Sequence, residues 1–306
     1  MIHEYAVEPA AVANWERFRF VTGHMGVQHA RVIAEFPGGG RWQEFVRDAC
    51  RAKNLPNVER TKIFEKLGRL DGKLMKQIRL YRNSDAWLTN VEAAHRERPF
   101  WAIIASARPG DAEPFLPIDE LDEDAPYWKV RREQKVTRTA AALGACAVVL
   151  FRQCREMLFV DPYFDPRAER WQHTLVEFAR IATATGRTFR RCEYHLKQVP
   201  ENAFALKQEC LAYLPELLPA GFKLDVRRWR HMRQGERMHP RYILTEVGGL
   251  RIEKGLDEGA PGETTDVSLL DLDLCSARMR EFDERHPSYQ LLDEVTVCGT
   301  EPKGCS

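Results

Sequence analysis

The sequence predicts an α/β fold for the C-terminal part of the chain, and three observations support this fold class. Short apolar segments typical of buried strands alternate with amphipathic helical segments, as where EMLFVDPYFDP precedes the stretch from Arg167 to Thr185. Three more strand-like segments, LDVRRW, HPRYILTE and GLRIEKG, then follow in close succession. The 306 residues, 44% hydrophobic and 30% charged, suit two globular domains with substantial cores.

The elements of this region predict a right-handed strand-helix-strand-helix-strand unit that ends in a hairpin, giving a mixed sheet. In chain order they are a buried helical stretch from Thr137 to Cys154, the strand of EMLFVDPYFDP, a helix carrying Trp171, Leu175, Phe178 and Ala182 that ends at Gly186, the strand FRRCEYHLK, a helix carrying Phe204, Leu211 and Leu214, the three strands above, and a helix from about Ser276 to Arg285. Ligands on such sheets gather at the carboxyl ends of strands, where Asp161 and His195 fall.

The N-terminal region, residues 1–108, is predicted to be a mainly helical domain of unknown role. Asn57 is a candidate N-cap for the amphipathic run NVERTKIFEKL, and WAIIAS is predicted to be a short buried strand that closes the domain. The glycines of FPGGGRW predict a flexible turn, because neither a following Lys-Ser/Thr nor a GxGxxG spacing is present.

Residues 109–126 are predicted to form a linker to a second domain over residues 127–306. The segment PGDAEPFLPIDELDEDAP holds four prolines and seven acidic residues with no basic residue, so it disfavours a helix and repels itself. The alternative is a functional acidic tongue that mimics nucleic acid.

Composition narrows the function classes. Lys+Arg (46) and Asp+Glu (45) nearly cancel, so a nucleic acid or membrane must be met by a local basic patch. The eight cysteines lack CxxC or zinc-finger spacing, which favours reduced thiols in the cytoplasm and no metal. The most apolar segment, Ala141 to Phe151, has 11 residues against the about 20 that a bilayer needs. We therefore expect a cytoplasmic protein without a resident metal or cofactor.

The segment MHPRYILTEVGGLRIEKGLDEG carries the candidate catalytic residues His239, Arg241 and Glu246. Alternate residues of a strand share a face, so His239 and Arg241 are expected to project together. An imidazole can attack phosphorus while a guanidinium grips two non-bridging oxygens, and Glu246 could orient an imidazole. The sequence thus predicts a site for handling phosphodiesters, with an ordinary hairpin as the alternative.

A local basic patch accompanies this motif. Five arginines fall within 11 residues of VRRWRHMRQGER, namely Arg227, Arg228, Arg230, Arg233 and Arg237. With Lys254 on the hairpin return, Arg228, Arg230 and Arg233 are candidate phosphate-binding residues; the alternative is a solvated loop.

These residues resemble the HxKx4D motif of the phospholipase D superfamily, with Arg241 for the usual Lys and Glu246 for the usual Asp. The chain from Tyr127 to Val297 is more similar still to the C-terminal phospholipase D-like domain of MIT-domain proteins. That domain has a Gly-Leu-Asp matched here by Gly255–Asp257, which adds Asp257 to the candidate phosphate site.

The resemblance implies two histidine motifs, one attacking phosphorus and the other protonating the leaving group. The candidate second site is His195 and Lys197 of HLKQVPEN, with Asp161 at the preceding strand end; the alternative is that this match is coincidental. A homodimer would then supply the second motif from a second His239.

The resulting hypothesis is a metal-independent phospholipase D-like nuclease that acts as a homodimer. By analogy it belongs to a bacterial anti-phage or other conflict system, with a partner protein in a defence complex. The alternatives are a non-catalytic module that binds the phosphates of nucleic acid or anionic lipid, and an adaptor subunit of a larger assembly.

Overall fold

The computed structural model describes residues 1–70, 72–76, 79–107, 113–199, 204–232, 237–283 and 288–301. The chain divides into two compact units, one of Ile2–Arg132 and one that begins at Glu133 and extends over the rest of the chain. Both units contain a sheet, so the α/β fold class is confirmed.

The N-terminal unit is built on a five-stranded parallel sheet with the strand order β3-β2-β1-β4-β5. Its strands are buried on both sides, because alternate residues pack into two different apolar clusters. Tyr5 belongs to one cluster and Ala6 to the other. The elements are β1 His3–Val7, α1 Trp15–Gly23, β2 Arg31–Ala34, α2 Arg41–Ala52, α3 Asn57–Leu67, β3 Leu74–Met75, α4 Trp87–Glu97, β4 Ala102–Ala105 and β5 Phe115–Pro117.

This sheet corrects the prediction of a mainly helical N-terminal domain. The strand in WAIIAS is confirmed as β4, but it is one of five rather than an isolated closing strand. The others are two to five residues long, too short to show a clear periodicity. The turn at the triple glycine leads into α2, with Gly39 and Gly40 at φ values of 74° and 83° that favour glycine.

The predicted linker is also wrong over its described part, residues 113–126. Strand β5 pairs with β4 in parallel, which places the segment in the N-terminal sheet. Phe115, Leu116 and Ile118 are buried in the apolar clusters of that unit. The acidic residues within 113–126 occupy exposed positions on either side of these anchors, so their repulsion does not prevent packing.

The C-terminal unit is an eight-stranded mixed sheet with the order β13-β9-β8-β7-β10-β11-β12-β6. Strands β7, β8 and β9 are parallel, and the flanking pairs are antiparallel. Phe159 of β7 stacks on Phe178 of α6, whereas its neighbours Leu158 and Val160 pack into the cluster that contains Cys275 of α8. The elements are β6 Glu133–Thr137, α5 Ala140–Gln153, β7 Glu156–Val160, α6 Glu169–Thr183, β8 Arg191–Lys197, α7 Leu206–Tyr213, β9 Lys223–Arg230, β10 Arg241–Thr245, β11 Gly248–Ile252, β12 Thr264–Leu269, α8 Leu272–Arg280 and β13 Gln290–Cys298.

The predicted strand-helix-strand-helix-strand unit and the closing hairpin are confirmed as β7 to β9 and β10–β11. Strands β6, β12 and β13 extend the sheet at its two edges and were not predicted. Across the described residues, no helix combines the length and the apolar character that crossing a bilayer requires.

Measurements of unfolding can test whether residues 113–126 pack in the core of the N-terminal unit. We expect Leu116→Ala to lower the free energy of unfolding of the N-terminal unit by about 2–5 kcal/mol, because the truncation leaves a cavity in the core. Denaturant unfolding of the full chain measures this, with the exposed Glu123→Ala as control. Equal stability of the two variants would restore the linker interpretation.

Candidate functional site

The sheet of the C-terminal unit brings several polar strand ends to one edge. Strands β7 and β8 run parallel and end there, with Val160 beside His195. Strand β10 begins at the same edge because it is antiparallel to β7, with Tyr242 beside Val160. Strand β11 returns to this edge, so Asp161, Lys197, Arg241 and Lys254 converge on it.

A cleft of about 330 Å³ opens at this edge. Basic and acidic side chains line it together with the aromatic residues Tyr163 and Trp171. The basic residues are Arg138, Arg170, Arg241 and Lys254, and the acidic residues are Asp161, Asp165 and Asp257.

Asp161 forms the floor of the cleft, with only 1% of the residue exposed. Its carboxylate accepts hydrogen bonds from the backbone N–H of Tyr163 at 3.0 Å, the backbone N–H of Leu256 at 2.9 Å and Nε1 of Trp171 at 3.2 Å. Burial raises the pKa of the Asp161 carboxyl, although the three hydrogen bonds oppose this shift. Asp161 therefore ties together the loop after β7, the segment after β11 and helix α6.

Asp257 neutralises two of the basic residues. Its buried carboxylate forms an ion pair with Arg138 and lies 3.4 Å from Nε of Arg170. Gly255 sits at φ 156°, and a Cβ there would lie 2.3 Å from the Asp257 carboxylate. The prediction that Asp257 binds phosphate directly is thus wrong, because its carboxylate is already occupied by guanidinium groups.

Arg241 has a different environment. Its guanidinium carbon lies 5.2 Å from the centre of the Tyr163 ring. Nζ of Lys197 lies 4.7 Å from the same ring centre. Arg241 pairs with no carboxylate among the residues that the structure describes, and its buried Nε has no hydrogen-bond partner. Lys254 is partly neutralised by Glu263 at 3.2 Å. The charge of Arg241 is therefore the one least compensated in the cleft.

His239 and Glu246 lie at opposite ends of β10. His239 is exposed, two residues before Arg241, and is not among the cleft-lining residues. Glu246 follows β10 at its other end and accepts hydrogen bonds from the backbone N–H groups of Arg155 at 2.5 Å and Glu156 at 3.0 Å. Glu246 anchors the start of β7, so its predicted role of orienting the His239 imidazole is wrong.

His195, the candidate second histidine, is a core residue with no exposed surface. Its Nδ1 accepts from Nε1 of Trp229 at 3.0 Å, its Nε2 lies 3.0 Å from Glu193, and its ring stacks on Phe282 at 4.2 Å. Burial lowers the pKa of His195, although Glu193 opposes this. His195 cannot contact a ligand, so the match of HLKQVPEN to a second motif is coincidental. Of that set, Asp161 lines the cleft and Lys197 lies at the same edge of the sheet.

The first two arginines of the arginine-rich segment do not contribute to the predicted patch. Arg227 lies 3.2 Å from both Glu193 and Glu294, and Arg228 pairs with Asp293 at 2.5 Å. Successive strand residues point to opposite faces, which separates these two guanidinium groups. Arg228 is therefore structural rather than phosphate-binding.

The other predicted members of the patch lie at or beyond the end of β9. Arg230 is exposed and donates from Nε to Oε1 of Gln198 at 3.1 Å. Arg233 lies outside the described residues.

Five cleft residues were not predicted from the sequence, namely Arg138, Tyr163, Asp165, Arg170 and Trp171. Arg138 and Asp257 are 119 residues apart, and only the pairing of β6 with β12 at the sheet edge brings them together. The described residues contain no group of three or more His, Cys, Asp and Glu side chains that could hold a metal ion.

Comparisons with known proteins add little to this geometry. No model of a known protein family matches this chain, and no curated protein does. Among solved structures, the chain is similar to TrmBL2, an archaeal chromatin protein whose structure is described as showing a novel mode of DNA binding. The identity is 11% and the TM-score 0.28, over 54% of this chain and 55% of the other, so the match spans about half of TrmBL2. Similarity at this level carries no conclusion about fold or function.

The buried position of His195 predicts a pH effect on stability. Because burial depresses the pKa of His195, protonation favours the unfolded chain. The contribution of the neutral imidazole to the free energy of unfolding is therefore present above about pH 6.5 and is lost as the pH falls. We expect His195→Gln to flatten the dependence of the unfolding free energy on pH between 6.5 and 5, by up to about 1.4 kcal/mol per pH unit.

Denaturant titrations at several pH values measure this slope. Trp229→Phe is the matched control, since it removes the hydrogen bond to Nδ1 but keeps the imidazole. A His195→Gln slope as steep as that of the unaltered protein would mean that the imidazole is not buried as described.

Proposed function

We propose that the C-terminal unit binds the phosphate groups of an anionic ligand in the cleft at the strand ends. The observation that carries this proposal is Arg241, whose guanidinium faces the cleft without a carboxylate partner among the described residues. A planar guanidinium can hold two phosphate oxygens at once, which makes it well suited to this ligand.

The surroundings of Arg241 support an anion rather than a cation or a neutral ligand. Lys254 and Arg170 lie on the same cleft with 46% and 57% of their side chains exposed. The three acidic residues of the cleft are engaged, Asp161 by three hydrogen bonds, Asp165 by Arg167 and Asp257 by two arginines. The available charge at the cleft mouth is thus positive.

We propose phosphodiester cleavage as a second candidate function, because His239 is exposed two residues before Arg241. In this reaction an imidazole nitrogen of His239 attacks phosphorus, and the bond from phosphorus to the leaving oxygen breaks. The leaving oxygen takes a proton from a second imidazole, and water then hydrolyses the phosphorus–nitrogen bond.

The second imidazole of this reaction would be the His239 of another copy, since His195 is buried. The protein would then be a metal-independent nuclease that acts as a homodimer. A role in a bacterial defence complex in the cytoplasm, and anionic lipid as ligand, are further proposals that stem from the resemblance.

We expect Arg241→Ala to weaken binding of a phosphorylated ligand by at least about tenfold, since a charge-assisted hydrogen bond contributes roughly 1.5–3 kcal/mol. Fluorescence anisotropy with a labelled oligonucleotide and calorimetry with inorganic phosphate measure this effect.

Arg251→Ala is the matched control, because it removes the same charge from an exposed position on the neighbouring strand β11. A similar loss of affinity in both variants would show that overall charge, and not the cleft, governs binding, and would overturn the proposal.

For the cleavage candidate, His239→Ala is expected to abolish turnover of a labelled oligonucleotide while changing its affinity less than twofold. Turnover should persist in EDTA, since an imidazole rather than a metal ion attacks phosphorus. Residual turnover in the His239→Ala variant, or its loss in EDTA, would rule out this mechanism and leave phosphate binding as the function.

A further inference from the structure

We infer that the ligand of the cleft is a single strand of nucleic acid that runs across the strand ends, perpendicular to the sheet strands. This inference rests on the proposed phosphate binding and specifies the class of ligand. Two independent observations support it: a row of basic residues that extends beyond the cleft lining, and an aromatic ring in the middle of that row.

The basic row follows the order of the strands. Arg230 is the last residue of β9, Lys197 the last of β8, Arg241 the first of β10, and Lys254 lies two residues beyond β11. All four mark the same edge, because β7, β8, β9 and β11 end there and β10 begins there.

The length of the row exceeds what one phosphate needs. From β9 to β11 there are four inter-strand spacings in the order β9-β8-β7-β10-β11, which gives about 19 Å at roughly 4.8 Å per spacing. A single phosphate group contacts only one part of such a row. The register places Arg230, Arg241 and Lys254 on one face of the sheet, whereas Lys197 pairs with Trp229 on the other face and joins the row only at the Tyr163 ring. Several consecutive phosphates of a polynucleotide could contact Arg230, Arg241 and Lys254 in turn.

Tyr163 lies at the centre of the row, directly after the end of β7. Its half-buried ring lines the cleft, between the cations Lys197 and Arg241 on the two adjoining strands. An aromatic ring next to phosphate-binding cations is the arrangement with which proteins bind single strands, since unpaired bases stack on such rings. A duplex hides the faces of its bases, and a lipid headgroup has no planar ring.

Binding measurements on the full chain test this inference. With labelled oligothymidylates of one to ten nucleotides, we expect affinity to rise over the first few nucleotides and then level off. The dependence of affinity on salt should correspond to several phosphates, at a slope of about −0.7 per phosphate. Arg230→Ala should reduce this slope by about one phosphate, whereas the control Arg251→Ala should leave it unchanged.

The aromatic platform is tested by Tyr163→Leu, which should lower oligonucleotide affinity by about five- to hundredfold, a larger loss than it causes in affinity for inorganic phosphate. Tyr163→Phe keeps the ring and should retain most of the affinity. This second variant separates loss of stacking from a folding defect.

The outcomes distinguish the single-strand inference from the proposal that the cleft binds phosphate. Affinity that is independent of length, equal for duplex and single strand, or present only for vesicles of anionic lipid would overturn the single-strand assignment while Arg241-dependent phosphate binding stands. Binding of none of these ligands would overturn both.

Discussion

The cleft depends on one buried interaction, the carboxylate of Asp161 with its three donors. A carboxylate with 1% exposure is costly to bury unless hydrogen bonds replace its lost water. The donors come from three separate parts of the chain, the loop at Tyr163, the segment at Leu256 and helix α6 at Trp171.

Because all three must be in place to satisfy the carboxylate, the same bonds that stabilise Asp161 also fix the position of the Tyr163 ring and of the segment that carries Asp257. The geometry of the cleft surface is therefore a consequence of polar burial beneath it.

A second constraint is the division of the cations into compensated and uncompensated groups. Asp257 neutralises Arg138, a pair in which both side chains are largely buried, and breaking either partner would leave a buried charge. This pair serves to hold the segment after β11 against the one before α5, where Thr139 caps the helix. Arg241 receives no such carboxylate within the described part of the chain, although it lines the same cleft. Arg138 and Arg170 thus engage the Asp257 carboxylate, and Arg241 remains as a local positive charge in a protein whose total charge is close to zero.

The sequence allowed the order of the central elements to be predicted, because helical and strand periodicities are local signals. The alternation from β7 to β11 and the helix end near Gly186 follow from such patterns. The function of individual residues did not follow from them. His195 and Glu246 had the residue types and spacing of a site. The pattern of a single strand does not reveal that the His195 ring stacks on Phe282, or that the Glu246 carboxylate binds the backbone N–H of Arg155. A predicted site residue lies at the cleft only where its side chain also stands at the right end of its strand.

This dependence on strand ends explains why Arg241 of the hairpin motif lies at the cleft, whereas Arg227 and Arg228 of the arginine-rich segment do not. Within β9, Arg227 and Arg228 are adjacent in sequence but point to opposite faces, and each is compensated by acidic residues that include partners on β13, a strand with no clear signal. Arg241 stands instead at the first position of β10, where the chain enters the sheet and the side chain meets the ends of the parallel strands. A basic residue at such a position is close to the cleft whatever its sequence neighbours are. The density of charge along a sequence is thus a weaker guide to an anion site than the position of one charge relative to the end of its strand.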